Sequence, residues 1–190
     1  MRDHGLGLLP WPTVTENLRT RAAFAGLTLL TDGALLDGLN EWLTPLLQGK
    51  RRLSELSDSL HQAMTNRLGW DQRKELDRLA PASFVSPAGQ THHIDYAAAA
   101  GPTVTLRVQG LFGLADHPCV GRDRIPLILS LTSPPGRPIQ TTRDLPGFWR
   151  GSWADVAKEM RGRYPKHNWP DDPTQAVASL KTKKALDRTR

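Results

Sequence analysis

Thr103-Val104-Thr105-Leu106-Arg107-Val108 alternates strictly between apolar and polar side chains. A period of two puts Val104, Leu106 and Val108 on one face of a strand and Thr103, Thr105 and Arg107 on the other. This stretch decides the fold, because nothing before Pro81 reads that way. On its C-terminal side Ile125 to Thr132 is largely apolar, as expected of a central strand. Ser133-Pro134-Pro135-Gly136 is a turn, and Ile139 to Thr142 returns as its partner. On the N-terminal side Phe84 to Pro87 and Thr91 to Tyr96 flank Ala88-Gly89 and predict a hairpin. Ala97 to Pro102 is a loop of small residues, and Gln109 to Leu114 predicts one helical turn closed by glycine.

Residues 11 to 80 have helical periodicity instead. Thr13 or Thr15 can cap a helix to about Ala25, with Glu16 placed for a capping box. Leu35, Leu39, Trp42, Leu43 and Leu46 share a face of a helix over Ala34 to Leu47, limited by Pro45. Leu53, Leu56, Leu60, Met64 and Leu68 repeat the pattern, and Asp71 can cap a last helix that Pro81 stops. After the strands, Ser152 can cap a helix with Trp153, Val156, Ala157 and Met160 on its apolar face, ended by Gly162 and Pro165. The expectation is an α+β chain. It comprises a helical segment (1–80), roughly five short strands closing into a small barrel or curled sheet (81–148), a basic helix with a Pro/Trp-rich arm (149–173), and a disordered basic tail (174–190).

The net charge of +6 is unevenly placed. Arg143 to Arg190 hold eleven Lys and Arg against six Asp and Glu, a net of +5. A localised excess points to a polyanion or an acidic partner surface. Within it, Met160 to Pro173 mixes Arg161, Arg163, Lys166 and His167 with Tyr164, Trp169 and three prolines. Such a strip offers cations to phosphates and rings to bases. A second reading of the same strip is structural. The prolines preset an extended arm that wraps the domain or docks on a partner at low entropic cost, with Trp169 filling a pocket and Arg and Asp pairing with each other.

Other chemistry is thinly represented. The single cysteine, Cys119, excludes an intramolecular disulfide framework and a cysteine-rich zinc site. No Gly-x4-Gly-Lys-Ser/Thr loop, Asp-Glu-x-His box or Gly-x-Ser-x-Gly elbow occurs, so no catalytic residues and no cofactor are expected, and no enzyme activity of this chain alone. His93 and Asp95 share a strand face without a third ligand, and His92 points away, so they read as outer-face polar groups and not a metal site. His117 and Cys119 read as a loop histidine beside an inert thiol, and Asp171 and Asp172 as cap, turn or ion-pair residues. No window reaches the ~18 apolar residues of a membrane span, and no signal peptide is evident. A cytoplasmic monomer is the expectation.

The run Leu145-Pro-Gly-Phe-Trp-Arg-Gly-Ser-Trp-Ala-Asp-Val-Ala-Lys-Glu-Met-Arg-Gly-Arg-Tyr-Pro-Lys-His-Asn-Trp-Pro-Asp-Asp-Pro173 closely resembles the C-terminal signature of HrpB-type bacterial DEAH-box ATP-dependent helicases. Leu79 to Phe84, Pro87 to Gly89, Asp95-Tyr96, Val108 to Leu114 and Pro126 to Thr142 are similar to the same domain. Leu9 to Pro12 and Glu41 to Pro45 resemble the segment before it more weakly. Asn168 stands where proline is expected, and Gly110 where glutamate is usual. Both motor domains are missing, so the chain is expected to be an excised piece or a truncated reading frame. The resemblance implies an OB-like accessory domain behind a motor that moves single-stranded nucleic acid, RNA in particular, with the helicase motor domains as further partners. On that reading Arg107, Arg150, Lys158, Arg161, Arg163, Lys166 and His167 face phosphates, while Tyr164 and Trp169 stack bases.

Overall fold

A computed structural model describes residues 5–187 of the chain. It divides between Pro81 and Ala82 into two compact units, where the periodicity changes. The first unit is helical: α1 (Thr13–Phe24), α2 (Asp32–Asp37), α3 (Leu39–Trp42), α4 (Thr44–Leu47), α5 (Ser57–Arg67) and α6 (Trp70–Leu79). Leu35, Leu56, Leu60, Met64, Leu68, Leu76 and Leu79 are its largest fully buried side chains among the described residues. Arg21 ties α1 to the end of α6, donating from Nε to the Ala80 carbonyl at 2.8 Å and pairing with Asp77 at 2.7 Å.

Three local expectations fail here. The helix over Ala34 to Leu47 is three short pieces, because Gly38, at φ −94° and ψ 16°, leaves helical geometry between the first two. Neither Thr13 nor Thr15 caps α1. Its cap position is Pro12, and Thr15 is buried with its hydroxyl 3.3 Å from His61 Nδ1. Asp71 lies one residue inside α6, whose cap position is Gly69.

The second unit holds β1 (Ser83–Val85), β2 (Thr91–His93), β3 (Thr103–Arg107), β4 (Cys119–Val120), β5 (Ile125–Pro126), β6 (Ile128–Thr132) and β7 (Pro138–Thr142). β1 and β2 form the predicted hairpin, Ser83 opposite His93, turning at Gly89 with φ +76°. β6 is the central strand of a three-stranded sheet, parallel to β3 and antiparallel to β7. The apolar run at 125–132 is cut at Leu127, whose amide donates to the Pro118 carbonyl at 2.9 Å. Its first two residues form β5 and pair with β4 instead. A closed OB-like barrel does not form among the described residues. The strands fall into three separate sheets, and the order β3-β6-β7 leaves two open edges.

Three helices complete the unit: α7 (Leu145–Arg150), α8 (Trp153–Arg163) and α9 (Lys183–Asp187). α7 was not legible as a helix because it opens Leu-Pro-Gly. Proline is tolerated in a first turn, and Asp144 caps it by accepting from the Gly147 amide at 2.9 Å. Ser152 stands at the cap position of α8 without a side-chain bond to the helix. The described part of 174–190, expected to be disordered, follows a defined path. Ala176 donates to the Pro173 carbonyl, Lys183 donates to the Lys166 carbonyl at 2.8 Å, and Leu180 approaches Gly110. Residues 188–190 lie outside the described residues.

Candidate nucleic-acid interface

The candidate site is built on an aromatic cluster. α7 and α8 contribute Phe148, Trp149 and Trp153, and the turn after β3 contributes Phe112. Phe112 and Trp149 both meet the Trp153 ring edge-on, at 5.4 and 5.3 Å between centroids. Trp169 adds its ring to this cluster, 6.3 Å from Trp153, and is only 3% exposed. A buried indole needs a partner for its N–H. Trp149 donates to the Leu114 carbonyl, Trp153 to Pro170 and Trp169 to Tyr164, all at 2.9–3.0 Å. Trp169 is therefore not a stacking platform for bases. Its faces are occupied by protein, and its ring fastens the arm.

The main chain of the arm is held in the same way. Gln109 donates to the Asn168 carbonyl at 3.3 Å. Arg161 donates from Nε and Nη2 to the Trp169 carbonyl at 2.9 and 2.8 Å. Trp153 takes the Pro170 carbonyl, and the Gly113 amide takes Pro173 at 2.9 Å. Three consecutive carbonyls are thus each captured by a side-chain donor of the folded unit. Arg161 is further paired with the exposed Asp171, so its Nε and Nη2 donors serve the arm while the side chain stays partly exposed. Asp172 accepts from the Thr174 hydroxyl and amide, which holds its carboxyl below the usual carboxylate range. The two aspartates are a clamp and a turn.

The remaining predicted residues are scattered. Arg163 pairs with Glu159 at 3.0 Å. Tyr164 caps the end of α8, half-buried, its carbonyl taken by Trp169. His167 and Arg107 are brought together. Partial burial first, and the Arg107 charge second, push the His167 imidazole below its usual pKa. The His167 Nδ1 and the Oε1 of buried Gln109 are both enclosed without a hydrogen-bond partner. Arg107, Arg150, Lys158 and Lys166 are exposed. Lys158 lies on the solvent side of α8 with Asp155 and Glu159, which dilute its charge.

The other polar groups are structural too. His117 accepts from the Leu145 amide at Nδ1 (2.9 Å), so Nε2 carries the hydrogen and donates to the Leu127 carbonyl at 2.7 Å. The neutral ring pins α7 to the strand segment. Asp95 is spent on the Ala97 amide at 2.9 Å, and the described residues contain no group of three metal-ligating side chains. Gln109 and Gly113 were missed in the sequence. Their one legible signal is a polar residue and a glycine inside an otherwise apolar turn, Val108 to Leu114.

With this geometry in hand, residues 42–173 match the family model described as ATP-dependent helicase C-terminal, HrpB_C. The chain is similar to the ATP-dependent RNA helicase HrpB of Escherichia coli (strain K12), 40% identical over 192 residues. That alignment covers 97% of this chain and 24% of the relative. A crystal structure of the E. coli DExH-box NTPase HrpB superimposes with a TM-score of 0.84 at 39% identity, over 93% of this chain and 23% of that one. A second, of the E. coli DEAH/RHA helicase HrpB, gives 0.70 at 38%, over 88% and 22%. The chain spans about a quarter of the length of the relative it matches. No helix of the described residues is long and apolar enough to cross a membrane.

Proposed function

Because the chain belongs to the family of HrpB helicase C-terminal regions, we propose that it is the accessory module of an ATP-dependent helicase, one that braces itself with its own C-terminal arm. It meets nucleic acid through a few phosphate contacts. The observation that carries this reading is the capture of the Asn168, Trp169 and Pro170 carbonyls by Gln109, Arg161 and Trp153. An arm fastened at three consecutive peptide groups and by a buried indole is a fixed part of the fold. It positions what surrounds it and does not itself open to grip a strand.

Of the predicted cations, Arg107, Arg150, Lys158 and Lys166 are exposed, and their side chains form no hydrogen bond or ion pair among the described residues. Four phosphates neutralised by these side chains on a single strand contribute about −3 to the slope of log K against log salt. Base stacking contributes nothing from Trp169. Single-stranded RNA and the motor domains of the same helicase are the expected partners.

Fluorescence anisotropy of a labelled single-stranded oligonucleotide across a salt series tests this. Lys158→Gln with Lys166→Gln should flatten the slope by about 1.4. No binding at low salt would reject nucleic-acid contact and leave the braced module alone, and a slope unchanged in the lysine variant would remove these two lysines from the contact.

A further inference from the structure

The last described stretch, 174–187, does not trail away from the second unit. Lys183 donates its amide to the Lys166 carbonyl at 2.8 Å, and Leu180 Cδ2 lies where a Cβ on Gly110 would meet it at 3.9 Å. The tail is therefore seated on two segments at once, the arm at Lys166 and the turn that follows β3. Those two segments also meet each other, since Gln109 donates to the Asn168 carbonyl and the Arg107 charge reaches the His167 ring. Each of the three carries exposed cations: Arg107 at the end of β3, Lys166 on the arm, and Lys183 and Lys184 at the start of α9. The side chains of Lys183 and Lys184, like those of Arg107 and Lys166, form no hydrogen bond or ion pair among the described residues.

Little in these segments offsets that charge. Thr103 to Leu114 and Thr174 to Leu186 contain no Asp or Glu. Tyr164 to Pro173 contains two, and each has a partner of its own: Asp171 pairs with Arg161, and Asp172 accepts from the Thr174 amide and hydroxyl. Gathering like charges on adjoining segments is unfavourable in the free protein. A chain of phosphates relieves it and releases its own condensed counterions in doing so. A single carboxylate relieves only part of it. We propose that the tail completes a phosphate-binding patch, in which Lys183 and Lys184 join Arg107 and Lys166 along the backbone of a single strand. The inference rests on the nucleic-acid reading above and adds to it two residues whose composition reads as a disordered tail. Because residue 183 is hydrogen-bonded to the arm, the two lysines act at a fixed place and not as a diffuse charge.

The test is oligonucleotide anisotropy across a salt series on the full chain, with two double variants that remove equal charge. Lys183→Gln with Lys184→Gln should flatten the slope of log K against log salt by about 1.4, the share of two phosphates on a single strand. Lys50→Gln with Arg51→Gln removes two exposed cations between α4 and α5 of the first unit and should leave the slope unchanged. The amide of residue 183 persists in the tail variant, so its thermal midpoint should stay within about 2 °C of the parent chain. An unchanged slope in the tail variant, or equal flattening in both variants, would overturn the patch while nucleic-acid contact elsewhere stands. No binding by the parent chain at low salt removes the nucleic-acid reading and this inference with it. A glutamate peptide that competes as well as an oligonucleotide of equal charge would count against the proposal and assign the patch to an acidic protein surface.

Discussion

Replacing Trp169 with alanine separates a braced arm from a nucleic-acid grip more sharply than any other single change. The ring is 3% exposed and abuts Trp153. Truncating a buried aromatic to alanine costs about 3–5 kcal/mol, including the cavity it leaves. The lost indole hydrogen bond adds little, because the Tyr164 carbonyl keeps the His167 amide as a donor at 3.1 Å. Domains of this size have about 5–15 kcal/mol of stability in total, so a large share disappears. At roughly 4 °C or more per kcal/mol, the midpoint of the second unit should fall by at least about 12 °C. Near-UV circular dichroism follows this transition, since the packed rings report on the cluster. A stacking platform behaves oppositely. Its truncation leaves stability within about 0.5 kcal/mol and costs about 1–3 kcal/mol of single-strand affinity. A midpoint within about 2 °C of the parent chain would refute the packing argument.

Arg161→Lys should destabilise the second unit by about 1–2 kcal/mol in urea titrations, because the Trp169 carbonyl loses both guanidinium bonds. Asp171→Asn should change stability by less than about 0.5 kcal/mol, since that carboxylate is solvent-exposed. His167 has a lowered folded-state pKa, so the unfolded chain binds more protons just below the ordinary histidine value of 6.5. Stability is full above that value and declines as pH falls through the window beneath it. His92 acts in the same direction through burial. Urea midpoints at about pH 7.5 and pH 5.5 should therefore diverge less in His167→Gln than in the parent chain, and an unchanged divergence would remove His167 from the account. Gly147→Ala, a change that ordinarily favours a helix, should instead cost about 0.5–2 kcal/mol by thermal melt. The new Cβ would collide with the Asp144 carboxylate and expel the cap of α7.

Where the fold was legible, the signal was a period or a break in one. The change at Pro81 coincides with the boundary between the units. The alternation at 103–108 became β3, and the apolar face of Trp153, Ala157 and Met160 packs inward on α8. Where it was not, the deciding partner was distant. Residues 125–132 read as one strand, yet Pro118 takes the Leu127 amide and divides it. A five-strand count suggested a barrel, but closure depends on which edges meet, and pattern does not encode that. α7 escaped because Pro146 and Gly147 are breakers by propensity, and only the Asp144 carboxylate shows why the helix starts there.

For the arm, the amino-acid order alone determined the ingredients: guanidinium donors, an indole and prolines within fourteen residues, together with their family resemblance. Tertiary structure decided the direction in which those groups act. A guanidinium fork donates to a phosphate or to a peptide carbonyl, and an indole face stacks on a base or on another indole. Chain order does not say which is nearer. In the folded unit Trp153, Arg161 and Gln109 lie beside the carbonyls at 168–170, and the Trp169 ring has a cluster to enter. Donors that find acceptors inside the molecule do not reach outside it.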